Sequence, residues 1–519
     1  MGQAALASRP RLVAWQPDKE EAKDIQGLAI SAYFHLPHAA FVLLELDEPA
    51  TCSNGPPLNS WLKALQMQVT SAAGRRPDAL NIAFTAHGLR CLGMSEPVLA
   101  TFSPAFCEGM AARARLLGDE KEQAPATWHW NGGGLDASRQ QAGGPVIGAV
   151  VLLYTETEDA LQAQLDALRQ LLAKFSGVRM AAPPIRSVAH STPHTDPRTG
   201  IETVARREHF GFADGLSQPV LMHGASAQTA DAAWGAHGIP VGDVLLGHPN
   251  TYDVPAPGPL VPAALDPAPP LLPPARLAGL HDLGRNGSYL VLRQLKQDVA
   301  GFWQCMAETA RSLTAKAGTP AKAEWLAERI VGRTRDGDVL VPGGVMPRDP
   351  ARRNKRHGHP DPDNGFGFRV ADADGTGCPI GAHVRRANPR DSLAPEAGGG
   401  LMALHAVNRH RILRRGRPYG PPPGDRMIDD GIPRGLVFAC LNSDIERQFE
   451  FVQHTWIGNP MFDGLYEEAD PLIGPAGRFT IPDTPIRQCA NLARFVTMQG
   501  GGYFFLPSLR ALDYLACRA

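Results

Sequence analysis

Apolar and polar positions recur along the chain with two periods, and the switches between period two and period 3.6 mark out its elements. Residues 39–46 form an apolar run of strand length. Leu58, Leu62, Leu65 and Val69 share one face of a helix predicted over 58–70. Residues 81–85 predict a second strand, and 106–117 a helix that ends at Gly118, a residue suited to a left-handed cap. The clearest pair comes next. A β-branched strand over 146–154 leads through capping residues 155–159 into a helix striped by Leu161, Leu165, Leu168 and Leu172. Leucines at that spacing face a sheet.

The second half repeats this pattern. Residues 288–295 alternate as a half-buried strand and 298–310 continue as a helix. Residues 435–442 predict another strand, followed by an amphipathic helix over 445–456 carrying Phe449, Val452 and Trp456. Strands and helices of similar length in both halves predict an α+β protein of two sheet domains. The intervening segments 182–207, 223–238, 333–364 and 395–400 are polar, charged or rich in small residues, and read as loops. Residues 255–274 hold nine prolines, which favour extended connector geometry over a central strand. The expected division is an N-terminal domain at 1–253, a Pro-rich connector at 254–284 and a C-terminal domain at 285–519.

Composition narrows the function classes. At 519 residues the chain is long enough for two cores. Its 51 basic and 52 acidic residues give a net charge of −1, which argues against a nucleic-acid partner. Eight scattered cysteines without a CxxC pair read as reduced thiols, not a disulfide framework. No apolar run approaches the roughly 20 residues of a membrane helix. The first residues also lack an apolar signal core. The expectation is a cytoplasmic protein without a membrane partner, with export as cargo of another protein left open.

The candidate chemistry centres on Gly377-Cys378-Pro379-Ile380-Gly381-Ala382-His383-Val384-Arg385-Arg386-Ala387-Asn388-Pro389-Arg390. Histidine is the commonest metal ligand, and neutral imidazole suits iron as well as zinc. Upstream lies Gly211-Phe212-Ala213-Asp214-Gly215 and downstream Arg414-Arg415-Gly416-Arg417-Pro418-Tyr419-Gly420. Taken in order, these three stretches resemble the dye-decolorizing peroxidase family of haem enzymes, and further similar segments spread the resemblance over nearly the whole chain.

The resemblance implies two ferredoxin-like domains with antiparallel sheets and flanking helices. Haem b (iron protoporphyrin IX) would lie between the sheet and helices of the C-terminal one. It implies a haem b peroxidase that reduces hydrogen peroxide and oxidises small organic donors such as dyes or phenols. His383 then matches the proximal iron ligand, Asp214 the distal proton acceptor and Arg414 the distal cation, with Arg415 the neighbour most easily confused with it. Leu436 and Phe438, which share one face of the 435–442 strand, would roof the distal pocket, although ordinary core packing accounts equally for their apolar character. Arg386 and Arg390 are candidates for the haem propionates because arginine pairs carboxylates bidentately. Surface or interdomain pairing is their competing reading.

Other readings compete. Cys378 could ligate iron as a thiolate. His357, His359, Cys378 and His383 hold zinc-binding atoms, although their spacing fits no compact zinc signature. Trp456, Tyr466 and Tyr503 are oxidisable and could relay electrons to a bulky donor, or simply pack. The rival function is a non-catalytic haem-binding or haem-iron-handling protein, and the last is a cofactor-free structural protein.

Overall fold

The computed structural model describes residues 14–48, 59–139, 142–189, 191–195, 202–223, 238–316, 319–341, 366–395, 400–483 and 487–517. The predicted loops 223–238, 333–364 and 395–400 fall largely outside these residues, as do His357 and His359.

The first unit contains β1 (His38–Leu46), α1 (Ser60–Gln66), β2 (Asp78–Phe84), β3 (Ala149–Thr155), α2 (Glu158–Leu172), β4 (Val178–Met180) and β5 (Ile185–Val188). β3 lies between β2 and β1, and β4 and β5 both pair with the far side of β1, every pairing antiparallel. That is the split βαββαβ arrangement of a ferredoxin-like unit.

The second unit repeats it with β6 (Ser288–Gln297), α3 (Val299–Ala310), α4 (Ala323–Val331), α5 (His383–Ala387), β7 (Leu413–Arg414), β8 (Arg417–Tyr419), β9 (Gly435–Asn442) and β10 (Val496–Leu506). β6 runs between β9 and β10, and β7 and β8 flank the outer edge of β9. The units meet edge to edge where Phe84 of β2 opposes Phe505 of β10, so both halves share one sheet, of twelve strands among the described residues.

Period-two alternation distributes side chains between two cores, one on each face of this sheet. Ala40, Val42 and Leu44 of β1 join Leu161 and Leu165 of α2 on one face. Ala39, Phe41 and Leu43 join Leu28, Tyr33 and Trp15 on the other. Near the seam the backbones approach too closely for side chains. A Cβ on Gly132 would lie 2.6 Å from the Gly502 Cα.

Several elements differ from the sequence prediction. The helix expected over 106–117 is broken into Pro104–Glu108 and Ala114–Leu117, because Gly109 turns at φ +79° between them. The strand expected over 146–154 is interrupted at Gly148. The predicted loop 182–207 contributes β5 and a hairpin, Ser191–Thr195 with Glu202–Arg206. The Pro-rich connector also forms a short pair, Leu260–Pro262 with Leu280–Asp282. The helix expected over 445–456 is wound as π turns, Glu446–Glu450 and Val452–Ile457. Such windings often mark functional positions. Among the described residues, no helix is long and apolar enough to cross a membrane, and the described cysteines are free thiols.

Candidate active site

His383 opens α5, a single short turn, directly after Ala382 in extended geometry. Its Nδ1 lies 2.9 Å from Oδ2 of Asp470, whose side chain is fully enclosed. The other carboxylate oxygen of Asp470 accepts the Leu472 and Ile473 backbone N–H groups at 2.9 and 3.0 Å. Burial is the largest influence on His383 and opposes its charged form, yet Asp470 outweighs it through charge and hydrogen bonding, so the ring pKa is raised. Burial likewise works against the Asp470 anion, but His383, the Ile473 backbone donor and Arg386 hold its pKa below the usual value. An ionised carboxylate only accepts, so it draws the ring proton to Nδ1 and leaves Nε2 as the lone-pair atom. Replacing Asp470 by asparagine should weaken metal-group affinity about ten- to a hundredfold with the fold retained, measured by titrating haem into the apoprotein.

Asp214 and Arg414 come together from distant parts of the chain. Asp214 Oδ1 lies 3.5 Å from Arg414 Nη1, and both side chains are about one-third exposed (34% and 36%), so they face open space. Asp214 also accepts the Gly215 N–H at 2.6 Å. Arg414 donates to the Leu216 carbonyl, and its backbone N–H donates to Gln218 Oε1 at 3.1 Å. Its guanidinium is close enough to His383 to oppose the protonated ring. Arg414 opposes Cys440 in register, which puts its side chain on the sheet face that carries Cys440 and Phe438. Arg415 points the other way. Its guanidinium is buried and donates to the Leu28 and Ala29 carbonyls at 2.8 and 3.1 Å. Alternation along two adjacent residues thus separates an open-side cation from a structural one.

Leu436 and Phe438 occupy that same face of β9, both half-buried. The Phe438 ring lies 6.1 Å from that of Phe449 on the π turns. Arg390 is buried and donates to Ser217 Oγ at 3.1 Å, with its guanidinium 3.9 Å from the Phe366 ring centroid. Arg333 also donates to Ser217 Oγ, and Arg411 to the Ser217 carbonyl. Burial, followed by repulsion from Arg411 and Arg333, pushes the Arg390 pKa well below its ordinary value.

The Arg386 guanidinium, a candidate for a propionate, is turned to backbone carbonyls. Nε, Nη1 and Nη2 are committed to the carbonyls of Gly381, Trp456, Ile457, Asn459 and Glu468 at 2.5–3.4 Å. It clamps α5 against the end of the π turns. Cys378 is also turned away from the open space. Its sulfur contacts the Gly332 carbonyl, and burial pushes the thiol up to about 12, which disfavours the thiolate a metal would need. Among the described residues no cluster of three or more His, Cys, Asp or Glu side chains could hold a metal ion, so no zinc site forms there.

No family model matches the chain. The multifunctional dye peroxidase DyP2 of Amycolatopsis sp. is 30% identical over 479 residues, spanning 86% of this chain and 84% of that protein. The chain belongs to the dye-decolorizing peroxidase family. Dye-decolorizing peroxidase msp1 of Mycetinis scorodonius is 29% identical over 477 residues, 86% of this chain and 78% of its own. The solved structure of DyP2 from Amycolatopsis superposes with a TM-score of 0.64 at 25% identity, covering 97% of this chain and 98% of that one. A dye-decolorizing peroxidase complexed with 2,6-dimethoxyphenol shares the fold at a TM-score of 0.68 and 24% identity, covering 96% and 99%. As a dye-decolorizing peroxidase, the chain is a haem-dependent oxidoreductase.

The residues present fit haem. His383 offers Nε2 of a ring oriented by a buried carboxylate, and three buried guanidiniums converging on Ser217 suit an anionic group such as a propionate. Sequence reasoning did not find Asp470, Arg333 or Arg411. Asp470 stands 87 positions from His383, and its Asp-Pro dipeptide reads locally as a turn. The two arginines belong to stretches whose proximity only the fold creates.

Proposed function

We propose that the chain binds haem b through His383 Nε2 and uses hydrogen peroxide to oxidise small organic donors such as dyes or phenols. The observation that carries this reading is the pairing of part-exposed Asp214 and Arg414, with the Arg414 guanidinium close enough to His383 to act on its ring. Haem would lie in the C-terminal part of the division 1–253, 254–284 and 285–519. When bound, it supplies a redox-active iron that takes oxidising equivalents from peroxide and passes them to the donor.

The chain's own residues do the rest. Asp214 accepts a proton from peroxide at its carboxylate and returns it to the departing oxygen as water forms. The Arg414 guanidinium stabilises negative charge developing on that oxygen. Asp470 holds the Nδ1 proton and fixes the ring orientation of His383. Leu436 and Phe438 roof the open side and exclude water. Arg390, with Arg333 and Arg411, takes the propionate carboxylates, whereas Arg386 holds α5 in place. Titration of the purified apoprotein with haem, followed by peroxide and 2,6-dimethoxyphenol, tests the reading. A Soret band with peroxide-dependent phenol oxidation is expected, and a Soret band without oxidation would favour a haem-handling protein.

The three oxidisable aromatics divide by exposure. Tyr466 is 61% exposed, whereas Trp456 and Tyr503 are buried and Tyr503 donates to Glu450 Oε1 at 2.8 Å. Tyr466→Phe should therefore slow a bulky anthraquinone dye but spare a small phenol. Trp456→Phe and Tyr503→Phe should slow both donors alike, through packing. Steady-state rates on the two donors distinguish the cases, and equal loss in Tyr466→Phe would remove it as a relay.

A further inference from the structure

The loop that presents Asp214 is folded by a carboxylate that the proposed reaction does not use. Glu208 begins this loop. Its Oε2 accepts the Phe210 N–H at 2.8 Å and Gln297 Nε2 at 2.7 Å, and its Oε1 accepts the Phe212 N–H at 2.8 Å. Its backbone closes the same turn, donating to the Phe212 carbonyl at 3.1 Å and accepting the Gly211 N–H at 2.9 Å. The rings of Phe210 and Phe212 pack on the opposite side, in the core with Phe302 and Trp303 of α3. Gln297 ends β6, so Glu208 ties the loop to the second ferredoxin-like unit. Two residues beyond Phe212, the chain delivers Asp214, its N–H bonded to the Arg206 carbonyl at 2.8 Å.

We propose that Glu208 is a positioning residue for Asp214, its carboxyl group holding the turn from Phe210 to Phe212 in the shape that aims the distal aspartate at Arg414. The inference rests on the assignment of Asp214 as the distal proton acceptor. Three neutral donors need acceptors on both carboxyl oxygens. A glutamine keeps one oxygen and turns an N–H₂ group toward a backbone N–H, which leaves that donor buried and unpaired.

Burial disfavours the Glu208 anion, whereas its three hydrogen-bond donors favour it. Burial, the largest influence, and the Asp214 carboxylate raise its pKa to about 7 against the three hydrogen bonds. Arg207 is engaged with the Gly211 and Arg335 carbonyls and Asp336, His209 Nε2 lies 2.8 Å from the Tyr419 carbonyl, and Arg335 flanks Gly211. A carboxyl whose pKa is higher in the held turn than in a released one binds its proton more tightly in the held turn. Acidification through about 7 therefore tightens the turn, and ionisation above that value loosens it.

Amide hydrogen exchange in the full-length apoprotein, corrected for intrinsic rates, tests the holding directly. In the wild-type chain, protection of the Phe210 and Phe212 amides should fall as pH rises through about 7. In Glu208→Gln it should be low and independent of pH. In the haem-loaded enzyme, Glu208→Gln should lower kcat/KM for peroxide about ten- to a hundredfold in the wild-type background and not further in an Asp214→Asn background. Wild-type protection in Glu208→Gln, or an equal rate loss in both backgrounds, overturns the proposal. Undiminished peroxide turnover in Asp214→Asn overturns the distal assignment, and the positioning role with it. That failure is recognisable because the exchange change would persist. Should Glu208→Gln not fold, constant wild-type protection across roughly pH 5–9 is itself enough to overturn the proposal.

Discussion

Arg414→Leu should slow peroxide turnover about a hundred- to a thousandfold, the usual consequence of removing one preorganised charge from a developing anion. Asp214→Asn should lose a similar factor, because an amide cannot take the proton that a carboxylate takes. The two losses should not add. The side chains sit 3.5 Å apart and act on the same departing oxygen, so the double variant should be little worse than either single one. Arg415→Leu provides the contrast. Its guanidinium serves the Leu28 and Ala29 carbonyls on the other face of the sheet, so its removal should lower thermal stability and spare kcat/KM for peroxide. Steady-state rates at varied peroxide concentration, set beside melting curves, separate the catalytic pair from the structural neighbour. If both distal variants turn over peroxide at the native rate, neither residue takes part.

His383→Ala should abolish tight haem binding and, with it, peroxidase activity. Among the described residues no cluster of His, Cys, Asp or Glu side chains offers another metal site, and the Cys378 thiol is held neutral by burial and faces Gly332. The substitution leaves the Asp470 carboxylate enclosed without its partner. Some loss of stability should follow, because a buried ion without its counter-ion is costly. The wild-type pair has a definite pH signature in the apoprotein. The raised His383 pKa contributes stability below the ordinary histidine value that is lost as pH rises through the raised one. The lowered Asp470 pKa contributes stability above the ordinary carboxylate value that is lost as pH falls through the lowered one. The pair therefore stabilises most between those limits, and His383→Ala should flatten that maximum. Full haem occupancy with an unchanged spectrum in His383→Ala would rule out the ligand assignment.

The sequence made the ferredoxin-like strands legible because period-two and period-3.6 patterns directly record which face is buried. β1, β6 and β9 lie within two residues of the predicted bounds at either end. The edge strand β5 was hidden because an edge strand needs few apolar residues, and its burial is partial. The π winding after β9 was hidden because its hydrogen bonds close one residue later than in an α turn, a difference too small for apolar spacing over so few turns to record. At the site, local motifs carried His383, Asp214 and Arg414, whereas long-range partners had no local signature. Arg386 illustrates the limit. A guanidinium reaches far from its Cα, and whether it meets a carboxylate or a set of carbonyls depends on segments some 70–82 residues away. Asp470 and the Arg333–Arg411 pair at Ser217 escaped for the same reason.

One measurement bears most directly on the central claim, that His383 holds haem while Asp214 and Arg414 drive peroxide chemistry on its open side. Purified chain is titrated with haem, and peroxide consumption with 2,6-dimethoxyphenol oxidation is followed per bound haem. The account predicts saturation at one haem per chain, with turnover rising in step and collapsing in Arg414→Leu at unchanged haem content. Haem bound at full occupancy with no peroxide-dependent oxidation, or with Arg414→Leu as active as the wild type, would contradict it.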